Sequence, residues 1–262
     1  MQIALYYVSV TFESELYPDE YFEGLHRVTA FAAPQRKWRE RDRDILRLAL
    51  GSRGLGSQNP PATEPVLLDL GSARGDVCFL LAPRVREAIG IDASPKALEI
   101  AERERARRGL RNVRFVLGDV AELAPIPDAS VDVAGAFDLL EHVDDATVRQ
   151  MLASLRRVLR KGGIFVAYTP NREHYVERLK AHDLLLKQFP EHIAVRRPSE
   201  IRRLLEGEGW RVVELSYSTA PFPAVRFLER LLAPLPGIGR LFRYRILVRA
   251  TPGPSGPAGT AG

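Results

Sequence analysis

Val66-Leu67-Leu68-Asp69-Leu70-Gly71-Ser72-Ala73-Arg74-Gly75-Asp76 is the stretch on which the reading of this chain turns. Its first five residues, apolar except for Asp69, predict a buried strand. Two glycines and an apolar run through Leu81 then predict a tight turn into a helix. Such a turn needs glycine where φ is positive or where backbone must come close to a ligand. The spacing is Gly-x-x-x-Gly, which does not meet the Gly-x-Gly-x-x-Gly dinucleotide fingerprint. No Gly-Lys-Ser/Thr follows, so a phosphate loop is excluded as well. Alone, the turn is weak testimony, because many strand-to-helix turns are tight for packing reasons.

Outward from this point, short β-rich runs alternate with helical patterns, the signature of a parallel sheet wrapped by helices. Further strands are expected at 88–91, 113–117, 131–137, 164–168, 212–217 and 244–248. Ser94-Pro95 starts one helix and Gly109 ends it. Val148, Met151, Leu152, Leu155, Val158 and Leu159 make an apolar stripe at helical spacing, capped by Asp144 or Asp145 and closed by Gly162-Gly163. Another helix is expected over 199–206. Residues 1–60 read as an N-terminal helical cap with a Gly/Ser/Pro-rich linker, 61–250 as the main domain, and 251–262 as a disordered tail.

Composition narrows the class. At 262 residues and 45% hydrophobic content, the chain buries a sizeable core. Its one cysteine, Cys78, excludes an internal disulfide, and no Cys/His spacing suits a zinc finger. Met1 to Val10 is apolar but has no basic start or small-residue cleavage site, and no run reaches about 18 apolar residues. No signal peptide or spanning helix is expected, and the cytoplasm is the expected location. The net charge of +5 permits nucleic-acid binding without arguing for it. The dense basic stretch 36–43 is interleaved with acids and reads as a solvated helix face with local ion pairs.

Acids stand where the second and third strands end. A carboxylate at Asp92 accepts both ribose hydroxyls of an adenosine ligand in a doubly wound sheet, and Asp119 suits an adenine amino group. The runs VLLDLGSARGD, AIGIDASPKALEIA, VRFVLGDVAEL, FDLLEHVDD and LRKGGIFVAYTPN together resemble the successive motifs of class I S-adenosylmethionine-dependent methyltransferases. The likeness covers about residues 66–217. It implies a three-layer α/β Rossmann-like fold whose seven-stranded sheet is mostly parallel with an antiparallel last strand. By the same likeness Asp69, Gly71 and Gly75 frame the methionine part of S-adenosylmethionine, with Ser72, Ala73 and Ala93 on the same loops. Asp92 holds the ribose, Asp119 and Val120 the adenine, and Phe137 lies near the cofactor. Ala73 departs from the family's usual second glycine.

Methyl transfer from a sulfonium is an in-line displacement, so alignment supplies much of the rate and a modest base suffices. His142 and His192 are the base candidates. Cys78 reads as core, against cytosine C5 chemistry, and no Asp/Asn-Pro-Pro-Tyr/Phe segment follows the fourth strand. Asp138, Glu141 and His142 resemble the acid-x-x-Glu-His segment with which ubiquinone-pathway and small-RNA methyltransferases bind a divalent metal. Relatives without metal use the same Glu-His pair to hold the loop, and that role is the expectation. Asn171, Arg172 and Tyr175 leave the fifth strand where an acceptor should sit.

The insertion 220–243 is apolar and punctuated by Arg226, Arg230, Arg240 and Arg243. It reads as a lid, an acceptor channel or a peripheral contact with an anionic membrane surface. O-methylation of a small, apolar or lipid-like molecule is therefore expected. The alternatives are an RNA 2′-O-methyltransferase, which needs a basic groove and salt-sensitive binding, and a non-catalytic cofactor-binding domain. Nucleic acid is not the expected partner, and the sequence is silent on oligomeric state.

Overall fold

The computed structural model describes residues 35–51, 64–181, 191–220 and 223–254. Helix α1 (Gln35–Leu50) precedes strand β1 (Val66–Leu70). Next come α2 (Asp76–Leu81), β2 (Glu87–Asp92), α3 (Pro95–Arg108) and β3 (Val113–Leu117). The middle of the chain forms β4 (Val131–Phe137), α4 (Asp145–Val158) and β5 (Leu159–Pro170). It continues through α5 (Tyr175–Ala181), α6 (Pro198–Gly207), β6 (Trp210–Ser218), α7 (Pro223–Leu232) and β7 (Arg245–Pro252).

These strands form one seven-stranded sheet in the order β3-β2-β1-β4-β5-β7-β6. Pairing is parallel from β3 through β5, and β7 runs antiparallel between β5 and β6. This is the doubly wound Rossmann-like sheet that the sequence predicts. Strand order reverses between β1 and β4, and there the carboxyl ends of the strands open a crevice. The candidate site lies at that edge.

Local chemistry explains the elements. Ser94 accepts a hydrogen bond from the Ala97 N–H, Pro95 opens α3, and Gly109 closes it in the left-handed region. Asp144 rather than Asp145 caps α4, accepting from the Thr147 N–H. The α4 stripe Val148, Met151, Leu152, Leu155 and Val158 is buried against one face of the sheet. Each such side chain contributes about 1.5–3 kcal/mol of transfer free energy. Ile45 and Leu48 of α1, with Val77 and Leu81 of α2, cover the other face.

Two boundaries differ from expectation. Gly162-Gly163 does not close α4, which ends at Val158 because Leu159 already pairs with Val131. The glycines sit inside β5, where the register jumps before Ile164 pairs with Val133. The last strand runs to Pro252 because Trp210 and Arg211 of β6 pair with Pro252 and Thr251, so the first residues of the expected tail are sheet. The rest of that tail, from 255, lies outside the described residues, as do residues 1–34 and the linker from 52 to 63.

Candidate active site

The glycine turn comes first. Gly71 and Gly75 have φ of +66° and +81°, the left-handed region that favours glycine. A Cβ at Gly71 would lie 2.8 Å from Cδ1 of Leu139, and one at Gly75 would lie 2.4 Å from the Phe115 ring. Conformation therefore requires both glycines, and the Phe115 ring also leaves no room for a Cβ at Gly75. Ala73 also has positive φ, +44°, so the departure from glycine costs backbone strain of about 1–2 kcal/mol.

Hydrogen bonds tie the three loop ends into one rim. The Gly71 and Ser72 N–H groups donate to the Ile91 carbonyl at 2.9 and 3.0 Å. The Ala73 N–H donates to Asp92 Oδ2 at 2.8 Å and the Ser94 N–H to Oδ1 at 2.9 Å. The Ala93 N–H also faces this carboxylate, and burial nonetheless raises its pKa. The Gly118 N–H donates to the Asp92 carbonyl at 3.1 Å. Asp119 Oδ1 accepts from the Ala121 N–H at 2.7 Å beside buried Val120. A carboxylate offers about four lone-pair positions, so with the Ala73, Ala93 and Ser94 N–H groups in place Asp92 retains acceptor capacity for one further donor.

Within the same loop, Ser72 Oγ and Arg74 Nη1 are buried with no hydrogen-bond partner. Buried polar groups are ordinarily satisfied, so two donors in one loop fit an anionic group such as an amino-acid carboxylate. Beneath them Asp69 is buried, with Cys78 Sγ donating to Oδ2 at 3.7 Å. Burial pushes the Asp69 carboxyl up to about 8. A cationic ammonium or sulfonium arriving nearby would favour its charged form. Phe137, expected beside the cofactor, instead lays its ring over Gly135 and packs in the core with Val77, Val133 and Tyr168. Leu139 is the side chain that closes on Gly71.

The turn after β4 builds a second group. Asp138 has φ of +58°, which an aspartate tolerates, and it aims its carboxylate at two guanidiniums. Arg41 Nε of α1 donates to Oδ2 at 3.0 Å and Arg245 Nη1 of β7 to Oδ1 at 2.7 Å. Burial works against charge on Asp138, but Arg245 and Arg41 outweigh it and hold the carboxyl below its usual range. The stretch 36–43 is thus not merely a solvated face: Arg43 pairs locally with Glu40, while Arg41 reaches the site. Glu141 is buried and accepts from the Thr169 hydroxyl at 2.9 Å. Burial and then the charge of Asp138 push it up to about 7.

His142 Nδ1 lies 2.9 Å from the Glu191 carbonyl, which only accepts. Nδ1 therefore carries the proton, and in the neutral ring the lone pair sits on Nε2. Burial keeps the His142 pKa below its ordinary value, so the neutral ring is favoured. The His192 ring stands edge-on to His142 with centroids 4.9 Å apart. Burial and the adjoining His142 lower His192 to about 4. What brings the two together is Arg196, a nearly buried residue that the sequence does not advertise. Its guanidinium donates to the carbonyls of Leu140 and Val143 and pairs with Asp145. That latches the segment 191–196 onto the Asp138–His142 turn.

Glu141, His142 and His192 each place one donor atom within 4.8 Å of the others. Asp138 is no part of that set, because both its oxygens are engaged by arginines. Beside His192 opens a cavity of about 590 Å³, whose charged lining includes Arg172, Glu177, Lys180, Arg196 and Glu200. Of the three expected acceptor residues, only Arg172 lines it. Asn171 is buried and spends its amide on the Arg243 carbonyl and the Glu173 N–H, and Tyr175 packs against His174 and Phe242. His26 and His182 lie outside the described residues.

Residues 67–163 match the family model described as a methyltransferase domain. Over that stretch the chain is similar to methyltransferase domains. Among curated proteins it is similar to the uncharacterized methyltransferase YcgJ of Bacillus subtilis, 33% identical over 52% of this chain and 50% of that protein. It is also similar to the ubiquinone biosynthesis O-methyltransferase of Saccharophagus degradans, 28% identical over 58% of this chain and 66% of the relative. The chain thus spans about half to two thirds of these relatives. The crystal structure of YcgJ superposes with a TM-score of 0.52 at 22% identity, covering 72% of this chain and 92% of that one. An S-adenosylmethionine-dependent methyltransferase from Aquifex aeolicus gives 0.54 at 18% identity, covering 83% and 97%. At these identities the superpositions speak for the fold. The matched stretch contains the glycine rim and the Asp138–His142 turn.

Proposed function

We propose that the protein methylates a hydroxyl group of a small acceptor seated in the charged cavity, with His142 and His192 as the proton-accepting pair. One observation carries this reading. The single turn Asp138–His142 touches the glycine loop through Leu139 and the cavity-lining His192 through His142. When bound at the rim, S-adenosylmethionine supplies an electrophilic methyl group. Gly71, Gly75, Ser72 and Asp92 hold and orient that ligand, and Arg74 meets its carboxylate. The Nε2 lone pair of His142 accepts the hydroxyl proton as the acceptor oxygen attacks, and the Glu191 carbonyl fixes the ring for that task. Arg245 and Arg41 neutralise Asp138, so no second bare carboxylate faces the reacting oxygen.

The acceptor is amphiphilic in this proposal rather than wholly apolar. The cavity wall carries Arg172 and Lys180, and the Oε2 atom of buried Glu177 has no hydrogen-bond partner. Those groups suit a polar head. The ubiquinone-pathway relative supports oxygen as the methylated atom. A second reading rests on the donor set Glu141, His142 and His192, which suits a divalent transition metal that would hold the acceptor hydroxyl as its anion.

Calorimetric titration with S-adenosylhomocysteine tests the rim first. Binding is expected, and Asp92→Ala should weaken it about 100-fold, which at roughly 1.4 kcal/mol per tenfold is within reach of a hydrogen bond to a charged group. Folded protein that ignores the ligand overturns the proposal. Turnover on hydroxylated amphiphiles, run with and without magnesium, manganese or zinc, separates the two readings.

A further inference from the structure

We propose that residues 223–242 are the surface by which this protein docks on an anionic lipid bilayer. Over 223–243 the sequence has four arginines and one acid, Glu229. At helical spacing Phe227, Leu228 and Leu231 fall on one face of α7, and Glu229 falls on the opposite one. The structure keeps that arrangement. Five of the eight exposed large hydrophobic residues among the described residues lie here: Phe227 (72%), Leu228, Leu231 (61%), Leu235 and Ile238. Large apolar side chains left exposed together on one short segment mark a contact surface.

The outward pose of the helix is built in. Glu229 is fully buried and accepts from His174 Nε2–H at 2.9 Å and from the Ala220 N–H at 2.6 Å. The Val176 N–H donates to His174 Nδ1, which leaves the proton on Nε2 for Glu229. Arg226 anchors the helix to Glu40 of α1 at 2.6 Å. Rotating the apolar face inward would break this latch and bury the arginines.

Charge selects the occupant. Arg230 and Arg240 are exposed and pair with no carboxylate among the described residues, while the segment's one acid points inward. An apolar crest flanked by cations matches acyl chains beneath anionic headgroups. A second copy of the same face would set arginine against arginine. No helix among the described residues is long and apolar enough to cross a membrane, so α7 lies in the interface. The Asn171 amide bonds the Arg243 carbonyl and the Tyr175 ring meets Phe242, which joins this segment to the chain that walls the charged cavity.

Flotation of purified full-length chain with vesicles tests the proposal, using pure phosphatidylcholine and phosphatidylcholine with phosphatidylglycerol. Recovery with the anionic vesicles is expected, and Phe227→Asp/Leu231→Asp should abolish it without lowering the melting temperature. Arg230→Gln/Arg240→Gln should weaken partitioning roughly 30-fold on anionic vesicles, at about 1 kcal/mol per arginine near the surface. Folded protein that floats with neither composition overturns the proposal. So does a dimer that Phe227→Asp/Leu231→Asp makes monomeric without any vesicle binding, which would assign the face to a second copy. Ligand titration of the same preparation reads the methyl-transfer proposal separately.

Discussion

Asp69 and Asp138 stand near the carboxyl ends of neighbouring parallel strands, one a residue before the end of β1 and the other just past β4, yet the fold treats them in opposite ways. Asp69 is sealed under the glycine loop with a thiol for company, and burial drives its carboxyl toward the neutral acid. Asp138 is partly buried between two guanidiniums and stays charged below its ordinary range. The difference teaches how the two halves of the site are made. The half at β1 to β3 is held by backbone N–H groups of adjacent loops. The half at β4 and β5 brings its cations from α1 and β7.

Three substitutions test this contrast. Asp138→Asn keeps a residue that accepts positive φ but leaves Arg41 and Arg245 facing an uncharged amide. The pair is only partly buried, so the loss should be about 2 kcal/mol, below the ~3–5 kcal/mol of a fully buried broken pair. Urea melts measure it, and an unchanged midpoint would remove the ion triad from the account. Asp69→Asn should do the reverse. Because the folded-state pKa of Asp69 is raised, the native chain holds a proton that the unfolded chain releases. That contribution is full below about pH 3.8 and is lost as pH rises through about 8. Wild-type melting temperature should therefore fall as pH rises from about 3.8 to about 8 and level off above it. The Asn variant should melt several degrees higher there while binding S-adenosylhomocysteine poorly. A variant whose pH profile parallels the wild type would show Asp69 to be ionised already. The smallest effect is expected at the loop itself. Ala73→Gly relieves left-handed strain of about 1–2 kcal/mol but adds about 0.5–1 kcal/mol of chain entropy, a net gain of roughly 0.5–1 kcal/mol in thermal melts. If it destabilises the protein, the Ala73 methyl group packs better than its backbone strains.

The same division explains what the sequence makes legible. Glycine spacing, capping residues and strand-end acids act through neighbours a few positions away, so the sheet, Asp92, Asp119 and the glycine turn are readable as residues in a row. Arg41, Arg196 and Arg245 act across the fold, and no local pattern distinguishes them from the many surface arginines. His142 and His192 are readable as separate candidates, but their contact depends on the Arg196 latch. Asn171 and Phe137 mislead for a related reason. Their positions suit a ligand, and tertiary packing turns both inward.

The place of β7 between β5 and β6 has a consequence for synthesis. A chain leaves the ribosome from its N-terminal end, and domains begin to fold as they emerge. Strands β1 to β5, with the whole glycine rim, are available long before Arg245. Until that residue appears, Asp138 and Glu141 lack one of the cations that flank them, and β6 has no partner to join it to the sheet. The glycine rim can thus form before the Asp138–Glu141 turn has all its counter-ions, and β7 serves at once as the partner that joins β6 to the sheet and as the source of that last cation.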